Sequence, residues 1–369
     1  MLQLARFNPF RNTSIRIPTQ WEQVTPAWMT AAIASRHPDA RVGAVRLVTR
    51  DDGTNRRARF QLLYAAGSGP EFVFVKAHAP HHRFVHLRNG NLFNEARLFR
   101  AAITLPLDHP LVYLAIVDWR HLDFLLVMED ITQRGADPRD ATRPLSVAQV
   151  ANGLRGLARL HSRYWGFSAR TQPALRFVKT WAPSKGWQVG LRARIPVGLQ
   201  RGGDALPHAI AQSSGAAMVA IWSRYVTTLT QFPMTLLHGD AHIGNTYVLP
   251  DDEVGFLDWQ VVRRGEWSQD VGYFLVGSLT ENDRREHERA LLEEYRNALT
   301  VPRAQQPSAA QIWQRYRTTP AYGLPIWLST LGTDGYQSRA VSTALAQRFA
   351  TAFVELDTAA ALDAADQSR

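Results

Sequence analysis

An α+β fold in two lobes is expected for this chain: a small lobe over 1–128, built on an antiparallel sheet with one key helix, and a large, mainly α-helical lobe over 129–369 that carries its chemistry on a β-hairpin. Three observations predict it. Short β-branched and aromatic runs crowd the first third, apolar residues recur at helical spacing from 146 onward, and a strand, loop, strand, turn, strand pattern occupies 235–257. At 369 residues and 45% hydrophobic, the chain has ample material for two cores.

The elements follow in order. A helix is expected over 21–34, with Thr25-Pro26 as a start signal and His37-Pro38-Asp39 beyond its end. Strands at 45–48 and 60–64 flank a polar turn with a single glycine, Gly53. Phe72-Val73-Phe74-Val75 reads as a buried strand and ends at Lys76. Leu92, Phe93, Ala96 and Phe99 give 91–100 an apolar helical stripe with Glu95 beside it, and 124–131 is a buried strand running into Glu129 and Asp130. Val147, Val150, Leu154, Leu157, Ala158 and His161 mark a helix over 146–165. Further helices are expected at 270–279, 281–298, 309–331 and 338–361, with 305–308 as a connector and 363–369 as a frayed end.

The hairpin concentrates the chemistry. With the turn centred on Asp251 and Asp252, antiparallel pairs sum to about 503, which sets Asn245 opposite Asp258. An amide oxygen and a carboxylate are hard ligands of the kind Mg²⁺ takes, with waters and phosphates completing its octahedron. Asp240 is then left to accept a proton, which is the division of labour of phosphoryl transfer. His238 and His242 also offer metal-ligand chemistry, so a metal-dependent hydrolase competes, as does a plain polar loop capping a strand pair.

His238-Gly239-Asp240 with Asn245, then Asp258-Trp259-Gln260 and Gln269-Asp270-Val271-Gly272, resembles the catalytic segment of aminoglycoside phosphotransferase-like kinases, and is most similar to the ecdysteroid kinase-like branch. The resemblance implies a two-lobed protein-kinase-like fold and ATP (or GTP) with Mg²⁺ as cofactors. It implies Asp240 as the catalytic residue, Asn245 and Asp258 as metal ligands, and Asp270 and His238 as supports of the catalytic loop. It pairs Lys76 with Glu95 to position phosphates. It also places Gly53, Thr54 and Asn55 over the nucleotide, and sets Met128 with the backbone of Glu129 and Ile131 against adenine. His242, Trp267 and Trp181 are possible acceptor contacts, although loop filling and core packing explain each of them equally well. Lys76 has independent support, since Lys occurs only at 76, 179 and 185 in an Arg-dominated chain and a compact ammonium reaches phosphates as a point charge. Where protein kinases have several glycines over the phosphates this chain has one, which keeps a pseudokinase or nucleotide-binding scaffold in play.

Composition narrows the class. The absence of Cys excludes disulfides, thiolate metal sites and cysteine catalysis. No secretion signal or uninterrupted apolar span is read, so a soluble cytoplasmic protein without a membrane partner is expected. His78, His81, His82 and His86 read as an exposed loop, because no carboxylate lies among them. The net charge is +10, and from 143 to 239 the only acidic residue is Asp204 against twelve Lys and Arg. A polycationic aminoglycoside needs carboxylates, so the acceptor is expected to be a neutral or anionic hydroxyl compound. Trp165, Phe167, Phe177, Trp181 and Trp187 in the same stretch would suit a bulky, largely apolar one. Nucleic acid is not an expected partner, because no binding motif accompanies the charge.

Overall fold

The computed structural model describes residues 15–52, 55–79, 90–182, 185–230 and 233–367; Gly53, Thr54, His81, His82 and His86 lie outside the described residues. The chain divides into two compact units, residues 1–104 with 110–135 and residues 105–109 with 136–369.

In the first unit β1 (Arg41–Asp52), β2 (Asn55–Ala66), β3 (Phe72–His78), β4 (Val112–Asp118) and β5 (Asp123–Glu129) form one sheet in the order β1-β2-β3-β5-β4. Every neighbouring pair is antiparallel. The first two strands run well beyond the expected 45–48 and 60–64, since Ala58, Phe60 and Leu62 keep a buried period of two between arginines and a glutamine. Alternation sends β3 and β5 side chains to opposite faces. Val73, Val75, Leu125 and Val127 pack with Met29 and Ile33 of the helix Pro26–Ile33, whereas Phe74, Leu126 and Met128 pack with Phe93 and with Ala96 of the helix Asn94–Arg100. The expected helix 21–34 is a 3-10 turn, Trp21–Gln23, followed by Pro26–Ile33. Pro26 disfavours a helical residue before it and suits the first helical position, and the Thr25 hydroxyl caps the start by accepting the Trp28 N–H at 3.2 Å.

The second unit is mainly helical. After β6 (Asp137–Pro138), the helix Val147–Arg163 starts at a Ser146 and Gln149 capping box. The helices Lys185–Gly202 and Gly215–Thr228 were not anticipated, because Pro196 and four glycines blur any stripe in the first of them. The expected helix 309–331 is broken into Ala309–Thr318 and Pro320–Leu331 by Pro320, and 338–361 into Arg339–Glu355 and Thr358–Gln367 where Asp357 turns left-handed at φ 48°. Between them lie β7 (Thr235–Leu237), β8 (Thr246–Val248), β9 (Val254–Phe256) and β10 (Arg263–Gly265). β7 pairs with β10, and β8 lies between β6 and β9. No helix among the described residues is long and apolar enough to cross a membrane.

Candidate active site

The register of β8 and β9 corrects the sequence reading by one position. Thr246 pairs with Phe256 and Val248 with Val254, so Asn245 stands beside Leu257, whose N–H donates to the Asn245 carbonyl at 2.8 Å, and Asp258 comes next. The cause is the turn. Leu249 and Glu253 close a loop of three residues, with Asp252 left-handed at φ 64°, where a two-residue turn was expected.

The loop after β7 is held from several sides. Asp270, fully buried at the start of the helix Ser268–Ser278, accepts the His238 N–H at 2.7 Å and the Gly239 N–H at 2.9 Å. Gly239 sits at φ 84°, and a Cβ there would lie 2.2 Å from the Val261 carbonyl oxygen, so only glycine fits. His238 donates from Nε2 to the Leu257 carbonyl at 2.8 Å and accepts the Asp240 N–H on Nδ1 at 3.3 Å. Both ring nitrogens are therefore engaged, and His238 supports the loop and offers no lone pair to a metal, which removes a ligand from the hydrolase reading. Asn245 Nδ2 donates to the Asp240 carbonyl at 2.8 Å and to Asp240 Oδ2 at 3.2 Å. With its nitrogen used there, the amide oxygen Oδ1 is the atom left to ligate a cation. Asp258 is left-handed at φ 58°, a conformation that Asp tolerates better than most side chains and one that re-aims its carboxylate at the end of β9.

Charges at the site act on one another. Burial and then the nearby Asp258 carboxylate raise the Asp240 pKa to about 7, while the Asn245 hydrogen bond works the other way. Solvent reaching the 31% of its side chain that stays open opposes the rise. His242 is buried, and burial with the neighbouring His238 lowers it to about 3. Its Nδ1 accepts the Gly244 N–H at 3.0 Å and its Nε2 lies 3.8 Å from Asp240 Oδ2. Two oxygens from Asn245 and Asp258 fit a hard cation that keeps waters and phosphates in its remaining positions.

In the first unit, Lys76 shares the β3 face of Phe74 and meets Glu95, Nζ to Oε2 at 2.7 Å, with both side chains buried. Asn55 is buried at the start of β2. Met128 packs into the helix-covered face of the sheet. The Glu129 N–H is taken by the Leu111 carbonyl at 2.8 Å, so it is not available to a base edge. Ile131 opens a 3-10 helix, a position whose N–H has no partner within its own helix.

Residues 206–305 match the model of the ecdysteroid kinase-like family. The family resemblance read from the sequence is borne out over those residues. No curated protein matches the chain. The spectinomycin phosphotransferase structure, solved with ADP and spectinomycin, superposes with TM-score 0.51 at 12% identity, covering 91% of this chain and 99% of that one, which shows a shared kinase-like fold. Ethanolamine kinase from Plasmodium vivax (TM-score 0.47, 11% identity, 85% and 83% covered) and choline kinase from Streptococcus pneumoniae (0.46, 14%, 84% and 93%) are further matches.

Both tryptophans read as acceptor contacts are buried, each 3% exposed. Trp267 stacks on Tyr295 at 5.4 Å inside the helical core, so it serves packing. Trp181 belongs to a run of aromatic rings: Trp222 stacks on Trp187, which meets Trp181, then Tyr322, then Tyr273, then His242, with neighbouring centroids 5.2 to 6.4 Å apart. The Tyr273 and Tyr322 hydroxyls are held neutral by burial first and by the Asp240 charge second. The Arg263 guanidinium lies 5.4 Å from the Trp181 ring centroid. Sequence reasoning missed Tyr273, Tyr322 and Arg263, and it also missed the role of His161. That residue is fully buried, with Nδ1 2.8 Å from the Tyr295 hydroxyl and Nε2 3.4 Å from Asp270 Oδ2. The signal was present: a titratable ring on an otherwise apolar helical stripe needs a buried partner.

Proposed function

We propose that this chain is a small-molecule kinase transferring the γ-phosphoryl group of ATP or GTP to a hydroxyl of a neutral or anionic, bulky acceptor in the cytoplasm. The observation that carries the reading is the geometry at Asp240, a carboxylate that accepts the Asn245 Nδ2–H at 3.2 Å on a loop clamped through Asp270. A base of that kind can orient a hydroxyl and take its proton near neutral pH. The acceptor oxygen then bonds to the γ-phosphorus, the bond from the β,γ-bridging oxygen to that phosphorus breaks, the nucleoside diphosphate leaves, and the hydroxyl proton passes to Asp240.

Asn245 Oδ1 and Asp258 would hold Mg²⁺, which when bound screens the charge of the phosphates. Lys76, oriented by Glu95, would hold α- and β-phosphate oxygens, and its burial leaves the ammonium one preferred direction. Since the transition state is loose, positioning by Asp240 counts as much as its basicity.

The test is a library of hydroxyl compounds incubated with MgATP and read by mass for an added phosphate, followed by the best acceptor with Asp240→Asn. Transfer should fall by roughly 100-fold or more, the range expected of a lost general base. The thermal shift given by MgATP should persist. Undiminished transfer in the variant removes Asp240 from the mechanism.

A further inference from the structure

His242 has no part in the roles assigned above, yet its ring is closely constrained. Nδ1 accepts the Gly244 N–H at 3.0 Å, and the ring sits edge to face with Trp327 (5.0 Å, 84°) and Tyr273 (6.0 Å, 79°). A Cβ on Gly244 would come within 2.8 Å of the imidazole Cε1, so the loop backbone lies tight against the ring. A ring nitrogen that accepts an N–H carries no proton, so the single N–H of this imidazole is on Nε2. Nε2 is the atom that points at Asp240, 3.8 Å from Oδ2, and Asn245 Nδ2 reaches the same oxygen at 3.2 Å. Among the described residues no side chain hydrogen-bonds to Asp240 Oδ1.

We infer that His242 is a positioning residue for Asp240: its Nε2–H, together with Asn245, draws Oδ2 to one side and presents Oδ1 to the acceptor hydroxyl. The inference rests on the kinase reading above. A separation of 3.8 Å is longer than a formed hydrogen bond, and such bonds commonly tighten once substrate fills a site. The same geometry excludes His242 as a second base, because its one lone pair is occupied by Gly244 and its other nitrogen already bears a proton.

Two measurements test this. Nitrogen-15 spectra of histidine-labelled full-length protein, with His242 assigned by its loss in the His242→Gln variant, should show the Nε2–H tautomer, and Asp240→Asn should shift that proton; an Nδ1–H tautomer or an imidazolium at pH 7 overturns the inference without need of turnover. The second compares variants in the slow hydrolysis of MgATP, with water as the acceptor. Glutamine can place an amide N–H near the position of Nε2, whereas asparagine reaches only the position of Nδ1. His242→Asn should lower kcat about tenfold with KM for MgATP within about twofold, and His242→Gln should stay within roughly threefold of the parent. Equal losses in both variants mean a packing role only, and no loss in either means no role; both overturn the inference. Hydrolysis that survives Asp240→Asn removes Asp240 from the proposed mechanism, which separates that failure from a failure confined to His242.

Discussion

A carboxylate that takes a proton near neutrality must be kept from ionising too readily, and in Asp240 burial and the Asp258 charge do this at a cost to stability. Its folded pKa of about 7 lies above the unfolded value of about 3.9. Between those values the folded state holds the extra proton, so the contribution of Asp240 to stability falls as pH rises from about 4 to about 7. Asparagine has no such proton. Without nucleotide or metal, Asp240→Asn should melt a few degrees above the parent at pH 8, and the gap should close towards pH 4, as read by melting curves across that range. A gap that is flat or widens at low pH would mean the carboxylate is not destabilised in the fold. At this scale the sequence was informative where partners are near in the chain: Asp240 and Asn245 are five positions apart, and Asp258 follows on the next strand. His161 was not legible as a loop support, because its partner Asp270 is 109 positions away and only the folded helices bring them together.

At the scale of elements, the pairing of β3 with the helix Asn94–Arg100 depends on an ion pair in an apolar layer. Lys76 follows Phe74 on the same strand face, and its ammonium meets the Glu95 carboxylate at 2.7 Å. Removing one member takes the buried counter-charge from the other, which costs about 3–5 kcal/mol, whereas removing both avoids that penalty. Urea unfolding should therefore show large losses for Lys76→Met and for Glu95→Gln, and a double variant more stable than the sum of the two predicts. Additive losses would mean that each side chain finds water or another partner when left alone. The 92, 93, 96, 99 stripe set Glu95 beside the face that meets the sheet, and the family resemblance supplied its pairing with Lys76. The hairpin register was readable only to within one position, because the left-handed residue that sets its loop length is Asp252, and an aspartate gives a weaker signal of that conformation than a glycine.

For the whole molecule, the α+β order of elements was legible because strand and helical periods differ, while the helices Lys185–Gly202 and Gly215–Thr228 were hidden by glycines and a proline whose stripe is supplied by tertiary packing. The structure also shows where the basic stretch is directed. Arg143 pairs with Asp137, Arg155 with Glu294, Arg201 with Asp334 and Arg224 with Asp363, each pair at 2.6 to 3.0 Å and each with a solvent-exposed partner. Those arginines neutralise acidic residues elsewhere in the second unit and contribute little to stability individually. Around Asp240 the aromatic run continues through His242 to Trp327, and Arg263 lies beside the buried Trp181 ring. From 143 to 239 the chain carries one acidic residue against twelve Lys and Arg, so an amine-rich acceptor bound against that stretch would meet little opposite charge, and like charges brought together disfavour the wrong partner by about 100-fold or more. Kanamycin should accordingly be phosphorylated with a kcat/KM at least about 100-fold below that of the best neutral or anionic alcohol from the library. Efficient turnover of kanamycin by the parent enzyme would show instead that carboxylates reach the acceptor and that the charge argument fails.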